Sequence, residues 1–190
     1  MSNASPSERA IARKIKAAFG PNTQWGRFGD EGEINDCYVA ECLNCPVHGV
    51  TSYATVGLSR NHQDAGDKDV LVEVLAACAS ETPCIDNLVS SCVFDSVRNG
   101  SNIVYGTCLS NIIDQYEISK TMRHVVFVAP FLWDDLQQVE IDGSTVYFLM
   151  ALPISDAERE YLFENGIDAL EQKFEEAQID VYDINRPSSV

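Results

Sequence analysis

The chain has 190 residues, the length of one domain, and at that length about 70% of the unfolded surface can be buried, so a core needs no disulfide or metal to support it. Acidic residues outnumber basic ones 29 to 13, for a net charge of −16. That balance excludes general binding to nucleic acid or anionic lipid, because phosphate recognition rests on Lys and Arg.

No apolar run approaches the roughly 20 residues of a membrane span. The N-terminal residues carry no long apolar region and no cleavage pattern, so no export signal is read. Seven cysteines, an odd number, then fit reduced thiols in a cytoplasmic protein. The acidity favours solubility and could steer a basic partner into contact. It is heaviest in the last third, where Glu158, Glu160, Glu164, Asp168, Glu171, Glu175, Glu176, Asp180 and Asp183 fall.

In chain order, Ser5-Pro6-Ser7-Glu8 has the form of a capping box with Pro at the first helical position. Ile11, Ile15, Ala18 and Phe19 follow at helical spacing and Gly20-Pro21 stops the run, which predicts a helix over 6–19. The glycine-rich stretch 25–32 lacks phosphate-loop spacing and reads as a loop or strand end. Residues 34–43 and 53–58 read as strands and 60–68 as a polar loop. Residues 70–79 fit a mostly buried strand, with helix as the alternative because the Ala-rich end has no strand preference.

Residues 81–99 predict the strongest helix, with Thr82 as cap, Pro83 in the first turn and Asn99-Gly100 ending it. Residues 103–113 read as a short strand and a turn, and 122–128 as a buried strand running to Pro130. Strands over 136–141 and 145–152 flank Asp142-Gly143, a strong hairpin signal. The second of these is apolar on both faces and should be central in its sheet. Ser155-Asp156-Ala157-Glu158 forms a second capping box, opening a helix that ends near Asn165-Gly166. A last helix spans about 167–177, with Ile167, Leu170, Phe174 and Ala177 on one side, and the remaining residues are expected to be extended and loose at the end. Strands and helices intermix, which predicts an α+β fold: one domain with a mixed, mostly antiparallel sheet packed by helices. Residues 1–20 are expected to supply an N-terminal helix that packs on the body formed by 21–190, one domain overall.

Few constellations could carry chemistry. Cys37, Cys42, Cys45 and His48 supply soft ligands of the Cys3His type. They come from one segment with no second pair, and in a strand Cys37 and Cys42 point to opposite faces. Buried thiols beside a turn at Pro46 are the plainer reading. A cysteine nucleophile needs a neighbouring base, and only His48, His62 and His124 are available. Trp133-Asp134-Asp135, after Pro130-Phe131-Leu132, could hold Mg²⁺ with a phosphate, but such pairs more often cap turns or face solvent. Phe131 and Trp133 read as packing residues, and an exposed Trp here would be a contact anchor. No catalytic residue and no cofactor is assigned.

The order of Tyr53-Ala54-Thr55-Val56-Gly57-Leu58-Ser59, the strand at 70–75, Ala129-Pro130-Phe131-Leu132-Trp133, the Asp142-Gly143 hairpin, Leu152-Pro153-Ile154-Ser155-Asp156-Ala157-Glu158 and Asp183-Ile184-Asn185-Arg186-Pro187-Ser188 resembles the suppressor-of-fused-like (SUFU) domain family, over about residues 45–188. The cysteines at 37–45 lie outside that pattern. The resemblance implies a non-catalytic α/β domain that binds other proteins. Its stand-alone bacterial members look like immunity proteins or antitoxins, so the expected partner is a toxin domain, a basic nuclease being one that the acidic balance would suit. A regulatory interaction domain with a signalling or transcription partner is the alternative, and a zinc- or thiol-dependent protein using Cys37, Cys42, Cys45 and His48 a further one. Phe131, Trp133, Asp134 and Asp135 are the first place to look for a partner contact.

Overall fold

The computed structural model describes residues 4–29 and 35–190. Among them the elements run α1 (Pro6–Phe19), β1 (Gln24–Gly29), β2 (Asp36–Leu43), β3 (Val50–Val56), β4 (Gln63–Asp64), β5 (Asp69–Ala79), α2 (Ile85–Asn99), β6 (Cys108–Leu109), β7 (Met122–Val128), β8 (Gln138–Ile141), β9 (Ser144–Ser155), α3 (Asp156–Asn165) and α4 (Ile167–Ala177). They form a single α+β domain around one mixed, largely antiparallel sheet, in the order β1-β2-β3-β5-β9-β7-β6, with β4 paired to β5 and β8 to β9.

The sheet is covered on both sides because its strands are apolar on both sides. On one face Val146, Phe148, Met150 and Leu152 of β9 join Ile11, Ile15 and Phe19 of α1 and Leu170 and Phe174 of α4. On the other, Leu149 and Ala151 of β9, Val74 of β5 and Phe127 of β7 meet Leu88, Val89 and Cys92 of α2. Strand β9 is central as its double apolar pattern predicts: it pairs parallel with β5 and antiparallel with β7 and β8. The β8–β9 turn takes Asp142 at φ 52° and Gly143 at φ 82°, the two positive values that a two-residue hairpin requires.

Both capping boxes form. Ser5 accepts from the Glu8 N–H and Ser155 from the Glu158 N–H, each glutamate reaching back to its cap residue. Each glutamate is also gripped by an arginine distant in sequence, Glu8 by Arg60 and Glu158 by Arg186. The glycine-rich stretch is strand β1 as far as Gly29, paired along its length with β2; Ile34 and residues 30–32 lie outside the described residues.

Three expectations are corrected. Thr82 does not cap α2: its N–H closes a turn onto the Ala79 carbonyl at 2.9 Å, and the helix begins after Cys84 in left-handed conformation, φ 61°, with no side-chain cap. The polar stretch 60–68 is not all loop. It contains β4, and Gln63 is buried where its Oε1 accepts from the Ile103 N–H at 2.8 Å and the Ser96 hydroxyl at 3.1 Å. The C-terminal residues are not loose. The Tyr182 carbonyl accepts from the Ala79 N–H, Ile184 is buried against the α2 side, and Arg186 is 3% exposed.

Candidate protein-binding surface

The cysteine cluster does not assemble. Cys37 is buried with the α2-side core and Cys42 and Cys45 with the α1-side core, the strand alternation having separated them. His48 is exposed. Among the described residues no group of three or more His, Cys, Asp and Glu is placed to hold a metal. The Cys42 thiol donates to the Phe19 carbonyl at 3.3 Å, a packing role. Burial pushes the thiols of Cys37 and Cys92 up to about 12 and that of Cys108 to about 11, the opposite of what a nucleophilic thiolate needs.

His124 is equally occupied. Its Nδ1 accepts from the Asn111 N–H at 2.8 Å and its Nε2 lies 2.9 Å from Asp156 Oδ1. A backbone N–H can only donate, so the ring is held as the Nε2–H tautomer, bridging a loop to the start of α3.

The aromatic turn after β7 splits into a buried and an exposed half. Trp133 is 5% exposed; its ring lies 5.6 Å from that of Phe19, and its indole N–H donates to the Ser52 hydroxyl at 3.2 Å. Trp133 is therefore a core residue and presents no anchor to solvent. Phe131, two positions earlier, is 57% exposed, and Asp134 and Asp135 are exposed beside it. The Gln137 side chain donates to the Pro130 carbonyl at 2.6 Å, tying the two ends of the turn together. Trp133→Phe should keep the ring contact but lose the bond to Ser52, lowering stability by about 1–2 kcal/mol in urea titration.

Phe131 forms one wall of an open groove of about 460 Å³ between the end of β7 and α4. Leu152, Phe174, Ile179 and Val181 are also in its lining, with Glu171 and Glu175 on the α4 side. Nothing in the α4 pattern announces this groove. The helix ends on Gln178 in left-handed conformation, φ 47°, and the Ile179 N–H turns back to the Phe174 carbonyl at 3.2 Å. That closure usually uses Gly, so Gln hides it from sequence reading. It brings Ile179 to the groove that Phe174 also lines. Glu171 further accepts from the Tyr105 hydroxyl at 2.8 Å. Burial and this carboxylate push the Tyr105 pKa up.

An exposed aromatic, an apolar trough and acidic side chains make a surface suited to protein contact.

Comparison with known proteins shows what the chain is similar to. The Bacillus subtilis protein described as Immunity protein YqcF is 32% identical over 185 residues, 96% of each chain. Among solved structures, a SUFU homolog from Neisseria gonorrhoeae superposes with a TM-score of 0.73 at 22% identity over 96% of both chains. Drosophila Suppressor of Fused gives 0.71 at 13% identity, covering 97% of this chain and 51% of that one. A family model for Suppressor of fused protein (SUFU) matches residues 36–187, so the matched span begins at β2, earlier than residue 45, and takes in the cysteines at 37–45. The chain belongs to the SUFU family, as a non-enzymatic protein of the protein-binding, immunity type.

Proposed function

We propose that this chain is a cytoplasmic immunity protein that neutralises a cognate toxin domain by stoichiometric occlusion, contacting it through Phe131, Asp134 and Asp135, with Trp133 as the buried platform beneath them. The observation that carries the reading is the 32% identity to an immunity protein along nearly the whole of both chains. The exposure of Phe131 supports the choice of surface, since aromatic side chains at the centre of an interface dominate its affinity. The net charge of −16 supports a basic toxin, a nuclease being one class, because complementary fields speed association and reject like-charged partners.

The toxin domain encoded by the neighbouring gene is the partner to test. Mixed at 1:1, this chain should abolish its activity and bind it in calorimetry. Phe131→Ala should weaken binding by about 10-fold or more. Asp134→Asn with Asp135→Asn should slow association, mainly at low salt. A toxin domain that stays active in an excess of this chain would end the proposal.

A further inference from the structure

The groove beside Phe131 has a one-sided chemistry. Its floor is apolar, from Leu152 and Phe174. Glu171 and Glu175 are on its rim, and among the described residues none of those lining it is basic. A cation does sit near Phe174: the Arg186 guanidinium is 5.3 Å from the centre of that ring. Its charge is held by Glu158 at 2.6 Å, so it does not offset the rim. The groove's volume of about 460 Å³ falls within the roughly 300–1,000 Å³ of clefts that enclose small ligands, which gives room for more than one side chain.

We infer that this groove receives an apolar side chain of the partner, carried on a segment with Lys or Arg beside it, whose cations meet Glu171 and Glu175. The inference rests on the immunity reading for the identity of the partner and adds the chemistry of the segment that docks. An acidic segment would bring like charges to a rim that offers it no cation. A wholly apolar one would leave both carboxylates facing desolvation without a counter-charge. A basic segment with an apolar anchor avoids both costs. Glu175 is exposed and Glu171 half-buried, so their part is orientation and association rate, and the apolar anchor sets the residence time.

Calorimetry and stopped-flow association with the same toxin domain test this. Ile179→Asp, which puts a charge on the groove wall, should weaken binding by about 50-fold or more, mostly through faster dissociation. Glu171→Gln with Glu175→Gln should slow association by about 5- to 10-fold at low salt and flatten its salt dependence. Circular dichroism shows whether Ile179→Asp folds; if it does not, Gln178→Lys at the exposed lip takes its place, its cation opposing those of the partner, with a smaller weakening expected. Groove variants that bind like the wild type while Phe131→Ala weakens binding would overturn the groove and leave the immunity reading standing. A wild-type chain that binds no toxin domain would overturn both.

Discussion

Arg186→Met is expected to cost about 3–5 kcal/mol of folding stability near neutral pH, read as a lower urea midpoint at unchanged slope. Arg186 Nη1 donates to Glu158 Oε1 at 2.6 Å, and Nη2 donates to Glu158 Oε2 at 3.1 Å and to the Pro153 carbonyl at 3.0 Å. Both side chains are almost wholly buried, at 4% and 0% exposure. Removing the arginine strands a carboxylate in the core, whereas removing the charge from both partners does not. Glu158→Gln strands the Arg186 cation in the same way and should also be costly. The double variant should be more stable than the sum of the two losses allows, a coupling that a double-mutant cycle measures.

The same pair sets a pH dependence. Burial alone would raise the pKa of Glu158, but the bonds from Arg186, the Ser155 N–H and the Ser189 N–H outweigh it and hold the pKa below its ordinary value of 4.5. A lowered carboxylate pKa contributes stability that is present above about pH 4.5 and is lost as pH falls through the lower, folded-state value. Without Arg186 the balance reverses. Burial then dominates, Glu158 resists ionising, and acidification from neutral pH towards 4.5 should stabilise the variant. The gap between wild type and Arg186→Met should thus narrow as pH falls. A gap that stayed constant from pH 7 to pH 4 would show that the arginine acts through packing against Phe174 and not through its charge.

This clamp also explains where sequence reading succeeds and stops. The Ser155 and Ser5 boxes, the Asp142-Gly143 turn and the double apolar face of β9 are local patterns, each decided within a few residues, and all appear in the structure. The arginines that grip the capping glutamates come from 28 and 52 positions away. No local pattern marks them, and a C-terminal Asn-Arg-Pro-Ser-Ser-Val reads as solvent-exposed chain until its partner is known. Gln63 is hidden in the same way, a polar residue in a polar stretch that becomes buried because Ile103 presents an N–H to it.

At the surface, the 131–135 turn was legible as a place of interest, but not which aromatic faces outward. Phe131 and Trp133 have the same spacing to either side of Leu132, and only the packing of Trp133 on Phe19 and Ser52 distinguishes them. The groove depends on a helix end closed by Gln178 and on the approach of β7 to α4, neither of which a single sequence displays.

Glu73→Gln should destabilise the fold by about 2–3 kcal/mol even though it preserves size and shape, and Glu73→Leu by about 4 kcal/mol or more. Glu73 is wholly buried in β5. Its Oε1 accepts from the Gly57 N–H at 2.8 Å, the Ser59 N–H at 3.2 Å and the Ser59 hydroxyl at 2.6 Å. Its Oε2 accepts from the Thr55 hydroxyl at 2.6 Å and the Leu58 N–H at 3.3 Å. The Val74 N–H donates to Thr55 Oγ1 at 2.8 Å, which leaves that hydroxyl's proton for Glu73.

Burial pushes the pKa of Glu73 up, and the bonds from Gly57, Ser59 and Thr55 act against it. Because three of the five donors are backbone N–H groups, which cannot accept, the arrangement selects an acceptor-only group. A glutamine must turn an NH₂ toward at least one of them, so an isosteric change becomes an unfavourable one. Gly57 is what brings the donors in. It sits at φ 136°, and a Cβ there would lie 3.3 Å from the Cα of Cys37, so both its backbone angle and its neighbour call for glycine.

The run Tyr53-Ala54-Thr55-Val56-Gly57-Leu58-Ser59 is thus a strand and turn that close around a carboxylate from the next long strand, and its residue types follow from that task. If the carboxylate were merely a tolerated charge, Glu73→Gln would relieve its desolvation and raise the urea midpoint. A raised midpoint would refute this account of the turn, and a lowered one, with Thr55→Val showing a smaller loss of about 1–2 kcal/mol, would support it.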